Sequence, residues 1–222
     1  VSNVVNMDNM FKNCIYFRGT GIENWDINNV TSMDNMFWYC TGLSYINLEN
    51  WNNKLNNVKS MDAMFIGCTN FIGIGLNTWN VSSVTNMKYM FKECKFLNIN
   101  LSTWNVSNVT NMSFMFKGCS NLDNSALWQH RDVEQETGID KWDVSNVENM
   151  DSMFQGCMRF NVNLGSWGNK LSKVISMQNM FQKCVNYEGN GLQLWNTENV
   201  KNMSNMFRTC SFTGNTIENW NT

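Results

Sequence analysis

The residues of this 222-residue chain that could do chemistry are eight cysteines, one histidine and a set of tryptophans in register. Each cysteine closes the motif Met-x-x-Met-Phe-x-x-Cys, which runs from Met7 to Cys14, Met33 to Cys40, Met61 to Cys68, Met87 to Cys94, Met112 to Cys119, Met150 to Cys157, Met177 to Cys184 and Met203 to Cys210. Thiols can ligate metal, act as nucleophiles or pair as disulfides. Metal binding is disfavoured, because no Cys-x-x-Cys pair occurs and His130 is the sole histidine. His130 with Glu134 or Glu136 imitates an acid/base pair, but no nucleophile, second ligand or phosphate loop accompanies it. The expectation is that the chain is not an enzyme and has no catalytic, cofactor-binding or metal-ligating residue.

Thiols this regular must be held by regular elements. Successive cysteines are 26, 28, 26, 25, 38, 27 and 26 residues apart, and a valine stands ten residues before each one. Within that block the apolar residues fall at i, i+3, i+4 and i+7, which predicts one face of a two-turn helix. Asn6, Ser32, Ser60, Asn86, Asn111, Asn149, Ser176 and Asn202 would be its N-caps. Asp8, Asp34, Asp62 and Asp151 would then occupy the first turn, where negative charge suits the helix dipole. After each cysteine the period changes to two, as in Leu97, Ile99, Leu101 and in Phe160, Val162, Leu164, which predicts a short strand.

Each strand would lead to one of eight tryptophans (Trp25, Trp51, Trp79, Trp104, Trp142, Trp167, Trp195, Trp220) and then to a turn. An Asn or Asp usually follows the tryptophan, where its side chain can satisfy turn backbone groups. From Trp51 to Val58 and from Trp167 to Val174 this turn has two extra residues, both copies containing Lys-Leu. The expected fold is an α/β repeat solenoid, leucine-rich-repeat-like, with about eight coils of short strand, turn and two-turn helix. Residues 1–222 would form a single array with an insertion at about 128–139. Cysteines on neighbouring helices would be about 10 Å apart, beyond the ~7 Å reach of a disulfide. A ladder of buried free thiols follows, weakly favouring a reducing compartment or a surface protein whose thiols are inaccessible.

Residues 104 to 119 read W-N-V-S-N-V-T-N-M-S-F-M-F-K-G-C. With its counterparts along the whole chain, this pattern resembles the 26-residue repeat of the BspA-like leucine-rich-repeat surface proteins. Members are mostly bacterial surface proteins and lipoproteins, with related arrays in protists and giant viruses, and many bacterial copies have Ala in place of Cys. The resemblance implies a solenoid used for adhesion or protein contact, with no catalytic residues to carry over. This chain departs from it by having no proline and by its long fifth-to-sixth interval.

With 16 basic and 18 acidic residues, a net charge of −2 and no basic run, nucleic acid and anionic membranes are not expected partners. No apolar stretch approaches the roughly 20 residues of a membrane span. The chain opens and closes in the same phase of the repeat, which predicts a segment of a longer protein.

Candidate partner-binding residues fall in two places. Trp128, His130, Arg131, Asp132, Glu134 and Glu136 lie in the interval that breaks the period, and insertions in solenoids map to surface loops. Trp38 and Tyr39 stand where other repeats place Lys12, Lys92, Lys117 or Gln182, and would either meet a partner or pack near Tyr16 and Phe17. The Met and Phe stripe reads as core. The tryptophan ladder reads as structure before it reads as a carbohydrate platform. The sequence thus points to a non-enzymatic scaffold for protein–protein recognition or adhesion at a cell surface. The alternative is a self-assembling structural component of a virion, filament or cytoplasmic assembly.

Overall fold

The computed structural model describes residues 1–122, 137–214, 217, 218 and 220. Eight coils succeed one another along an axis, joined by parallel bridges from Asn6 to Ser32, Ser60, Asn86, Asn111, Asn149, Ser176 and Asn202 in turn. The expected two-turn helix does not form. Between Met87 and Cys94, the amides of Met90, Lys92 and Cys94 donate to carbonyls three residues back (Met87, Tyr89, Phe91) at 2.9–3.2 Å. The intervening amides of Met87, Tyr89, Phe91 and Glu93 donate to Asn111, Ser113, Met115 and Lys117 of the next coil at 2.7–3.1 Å. An α-helix would keep all of these bonds within itself, four residues apart.

The motif is instead two successive four-residue turns, each with positive φ at its third residue, as type II turns require. In this coil those residues are Tyr89 (φ 58°) and Glu93 (φ 63°). Two such turns place apolar residues at i, i+3, i+4 and i+7 just as two helical turns would. Within the eight motifs, eight of the sixteen positive-φ positions are Asn or Gly: Asn9, Asn13, Asn35, Gly67, Gly118, Gly156, Asn179 and Asn205. These residues enter the left-handed region most cheaply.

The bridge residues cap turns, not helices. Asn6, Asn86, Asn111, Asn149 and Asn202 each accept the amide two residues on, at 2.8–3.1 Å. In every serine coil that amide is accepted instead by an aspartate of the coil before. Asp8 Oδ1 accepts both the Ser32 hydroxyl and the Asp34 amide. Asp34 Oδ1 does the same for Ser60 and Asp62, and Asp151 Oδ1 for Ser176 and Gln178. These aspartates therefore tie coils together; there is no helix dipole for them to complement.

The alternation after each cysteine survives as burial, with Leu97 and Leu101 fully buried and Asn98 and Asn100 half-buried, but not as strands. Among the described residues the β pairing is confined to the isolated bridges. The interval from Cys to Trp changes between 10, 11 and 23 residues, so a constant register from coil to coil is not maintained there. Among the described residues six 3-10 helices lie at or beside the tryptophans instead: Ile22–Asn24, Glu49–Lys54, Leu76–Thr78, Ile139–Lys141, Gly165–Lys170 and Leu192–Leu194. The two long ones absorb the extra Lys-Leu. Leu55 and Leu171 are fully buried and accept the Val58 and Val174 amides, as Ile27 accepts that of Val30. Lys54 and Lys170 reach back to the Trp25 and Trp142 carbonyls at 3.0 and 3.1 Å.

Inside, the phenylalanines of successive motifs stack at 5.3–5.9 Å from Phe11 to Phe207. Trp51, Trp79, Trp104, Trp142, Trp167, Trp195 and Trp220 each donate the indole N–H to a carbonyl of the preceding coil at 2.8–3.1 Å. Of these, the six from Trp51 to Trp195 are at most 4% exposed, which removes those rings as a sugar platform. The stack runs without a gap across the period break, Phe116 to Phe154 at 5.8 Å and Trp104 to Trp142 at 6.3 Å.

Directly bonded coils are about 4.8 Å apart, so the 10 Å spacing expected of helices does not hold and distance is not what separates the thiols. Instead each Sγ–H from Cys40 to Cys184 donates to the phenylalanine carbonyl of the coil before, at 2.8–3.0 Å. Burial pushes the Cys40 thiol up to about 12 and those of Cys68, Cys94 and Cys157 well above the ordinary range.

Candidate functional site

In coils two to seven Met, Met, Phe and Cys are turned into the core, and the first, second, fifth and sixth residues after the first methionine are half-buried or exposed, except Ala63, Ile66, Gly67, Ser113 and Ser152, which are buried. These four positions are the ones whose chemistry changes from coil to coil. Coils one, seven and eight carry Asn9, Asn179 and Asn205 at the second position, whereas coils four and five carry Tyr89 and Phe114.

Trp38 and Tyr39 lie on this face. Their rings are 6.3 Å apart and tilted, Trp38 is half-buried and Tyr39 is 41% exposed. Lys12 of the preceding coil places its Nζ 4.2 Å over the Trp38 ring, a cation–π contact of about 0.5–1 kcal/mol at an exposed site. Tyr39 lies flat over Gly67 of the next coil, where a Cβ would come within 2.7 Å of the ring. Gly67 is thus required twice, for its φ of 68° and for this approach. Lys12 of the coil before and Gly67 of the coil after flank the pair along the coil axis, and Phe17 stacks on Phe11 at 4.0 Å.

A second cluster was not singled out from the sequence. Tyr89 and Phe114 stack at 4.7 Å, with Lys88 and Lys92 over the tyrosine at 4.9 and 5.6 Å and Lys117 over the phenylalanine at 5.4 Å. Its signal was available: two aromatic residues at the same motif position in consecutive coils, followed by lysines three residues later.

Charges on the face fall in two rows. At the first position Asp8, Asp34 and Asp151 have their carboxylates engaged between coils, as described above. Asp62 is followed by Asn86 instead of Ser, and Asn86 satisfies its own Lys88 amide. Burial raises the Asp62 pKa, the Asn86 side chain and Lys88 oppose this, and the Asp34 charge adds to it. At the fifth and sixth positions stand Lys12, Lys92, Lys117, Lys183 and Arg208 against a single acid, Glu93, 3.9 Å from Lys92. Burial first, then the charge of Lys92, lowers the Lys117 pKa, with Lys183 adding to this and Glu93 opposing it.

The other candidates, Trp128, His130, Arg131, Asp132, Glu134 and Glu136, lie outside the described residues. Among the described residues no group of three or more His, Cys, Asp or Glu is placed to share a metal ion, and no helix is long and apolar enough to cross a membrane.

No curated protein matches the chain. Among solved structures it is similar to a leucine rich cell surface protein from Faecalibacterium prausnitzii A2-165, at 19% identity and a TM-score of 0.44, over 84% of this chain and 38% of that one. A TLR13–ssRNA13 complex aligns at 10% identity and a TM-score of 0.18, over 91% of this chain and 34% of that one. The chain therefore spans well under half the length of either protein. The family described as Mycoplasma protein of unknown function, DUF285, matches residues 1–71, 42–138 and 126–222. These three overlapping matches run from the first residue to the last, and the chain belongs to that family.

Proposed function

We propose that this chain is a non-enzymatic recognition scaffold of BspA-like type, which holds a protein partner at a cell surface. One observation carries the reading: inward positions are nearly constant across eight coils, while the outward positions of the same turns change in charge and aromaticity. A core that repeats and a face that does not is what a solenoid needs to present a specific surface on a generic support. Trp38 and Tyr39 supply the kind of partly exposed aromatic anchor that dominates contact energies.

A second reading, a self-assembling structural component, is favoured by the axial ladder, since any coil can accept another in register. A photo-crosslinking residue in place of Tyr39, in the protein as its own cells make it, separates the two. Adducts with a different polypeptide support recognition. Adducts with copies of itself support assembly, and adducts from the same probe at Lys95 but none at Tyr39 would count against this face.

A further inference from the structure

We infer that the row of fifth and sixth positions is a docking track for an extended acidic polypeptide lying along the coil axis, with Lys92 and Lys117 at its centre. This rests on the recognition reading and names its partner chemistry. Within the row, Lys12, Lys117, Lys183 and Arg208 have no carboxylate partner among the described residues, and Lys92 has only exposed Glu93. The neighbouring aspartates cannot neutralise them, because Asp8, Asp34 and Asp151 are turned to the adjoining coil and hold a hydroxyl and an amide each. Burial is the main cause of the lowered Lys117 pKa, and the charge of Lys92 adds to it; a carboxylate between Lys92 and Lys117 would relieve that second part.

The shape of the surface selects among anions. The faces of Tyr89 and Phe114 are occupied by each other and by lysine ammoniums, so they are not free to stack on a sugar ring. From the first coil to the seventh the motif amides are engaged, within the coil, to the next coil or to an aspartate of the coil before, so along these coils a partner must be read through side chains and not by strand addition. From Lys92 to Arg208 is four coils, about 19 Å at ~4.8 Å per coil, which an extended chain crosses in about six residues with three side chains facing the track.

The test is a titration of the 222-residue chain with a fluorescein-labelled alternating Glu-Ser decapeptide, with a Gln-Ser decapeptide as the neutral control. Saturable binding to the acidic peptide alone is expected, weakening as salt rises. Joint Lys92→Gln and Lys117→Gln substitution should weaken it about tenfold or more, whereas Lys95→Gln, an exposed lysine off the track, should change it less than about twofold. Absence of saturable binding, or equal loss with Lys95→Gln, overturns the inference. So does tighter binding of chondroitin sulfate through the same lysines, or face-to-face dimers in sedimentation that the double substitution abolishes. None of these outcomes alters what the Tyr39 cross-link reports, so the track can fail while the recognition reading stands.

Discussion

The Asp–Ser link between coils makes a prediction that a helical reading of the motif would not. Asp34 Oδ1 accepts the Ser60 hydroxyl at 2.6 Å and the Asp62 amide at 2.8 Å. Hydrogen bonds to a charged group contribute about 1.5–3 kcal/mol each, and part exposure at this site brings the pair to roughly 2–3 kcal/mol in total. Asp34→Ala should lose that amount, mostly by stranding the Asp62 amide. Ser60→Asn alone should cost under about 1 kcal/mol, because asparagine carries its own acceptor for that amide, as Asn86 does for Lys88 at 3.1 Å.

Combined, the two changes rebuild the asparagine form of the junction, and the double variant should be within about 1 kcal/mol of the parent, a coupling of roughly 1.5–2 kcal/mol. Equilibrium urea unfolding followed by tryptophan fluorescence gives the four free energies. Hydrogen exchange at the Asp62 amide shows whether the loss is local, since a repeat array can open coil by coil. Additive effects within about 0.5 kcal/mol would refute the reasoning, as would an Asp62 amide equally protected in Asp34→Ala and parent.

Asn86→Ser should do the reverse, giving Asp62 the two donors its counterparts have and lowering its raised pKa. A carboxyl whose folded pKa lies above its unfolded one is destabilising while ionised, so the gain should be present at neutral pH and fade on acidification, as parallel melts at two pH values would show. The thiols set the alkaline limit: their folded pKa values lie above the unfolded value of 9.0, so stability is full below about pH 9 and falls as pH rises beyond it, by about 1.4 kcal/mol per unit for each buried thiol until its folded pKa is reached. In a native alkylation time course, exposed Cys14 should react first and Cys68, Cys94, Cys119 and Cys157 only on unfolding. Tyr187 is fully buried with no hydrogen-bond partner for its hydroxyl among the described residues, in a place where Phe71 and Phe160 serve other coils. Tyr187→Phe should therefore stabilise the fold by roughly 1 kcal/mol, and a lower melting temperature would show that the hydroxyl is satisfied.

What the sequence disclosed, and what it concealed, follow from one degeneracy. Apolar residues at i, i+3, i+4 and i+7 describe a helical face and equally the corners of two linked turns, so periodicity placed Met87, Met90, Phe91 and Cys94 in the core without deciding how the backbone got there. The deciding signal was conformational: Gly67, Gly118 and Gly156 directly before cysteines, and Asn9, Asn35, Asn179 and Asn205 two residues after methionines, are poor helix formers at positions demanding positive φ. The repeat, the buried tryptophans and the Asn-bearing turns could be read because each is fixed by side-chain burial or local hydrogen bonding. The strands could not, because alternation reports burial whereas a ladder needs equal spacing between Cys and Trp, which this chain lacks.

The same distinction explains the site. Trp38 and Tyr39 stood out as departures from a polar consensus within one repeat, but the Tyr89–Phe114 pair and the basic track exist only between repeats, once coils separated by about 26 residues are stacked at hydrogen-bonding distance. Asp8, Asp34 and Asp151 were likewise visible as acidic residues early in the motif, and their purpose emerges only when each is set beside the serine of the following coil. In an array of this kind the chemistry of a position is a property of adjacent pairs of coils, so a substitution should be judged against the residues one period away before those next to it in the chain.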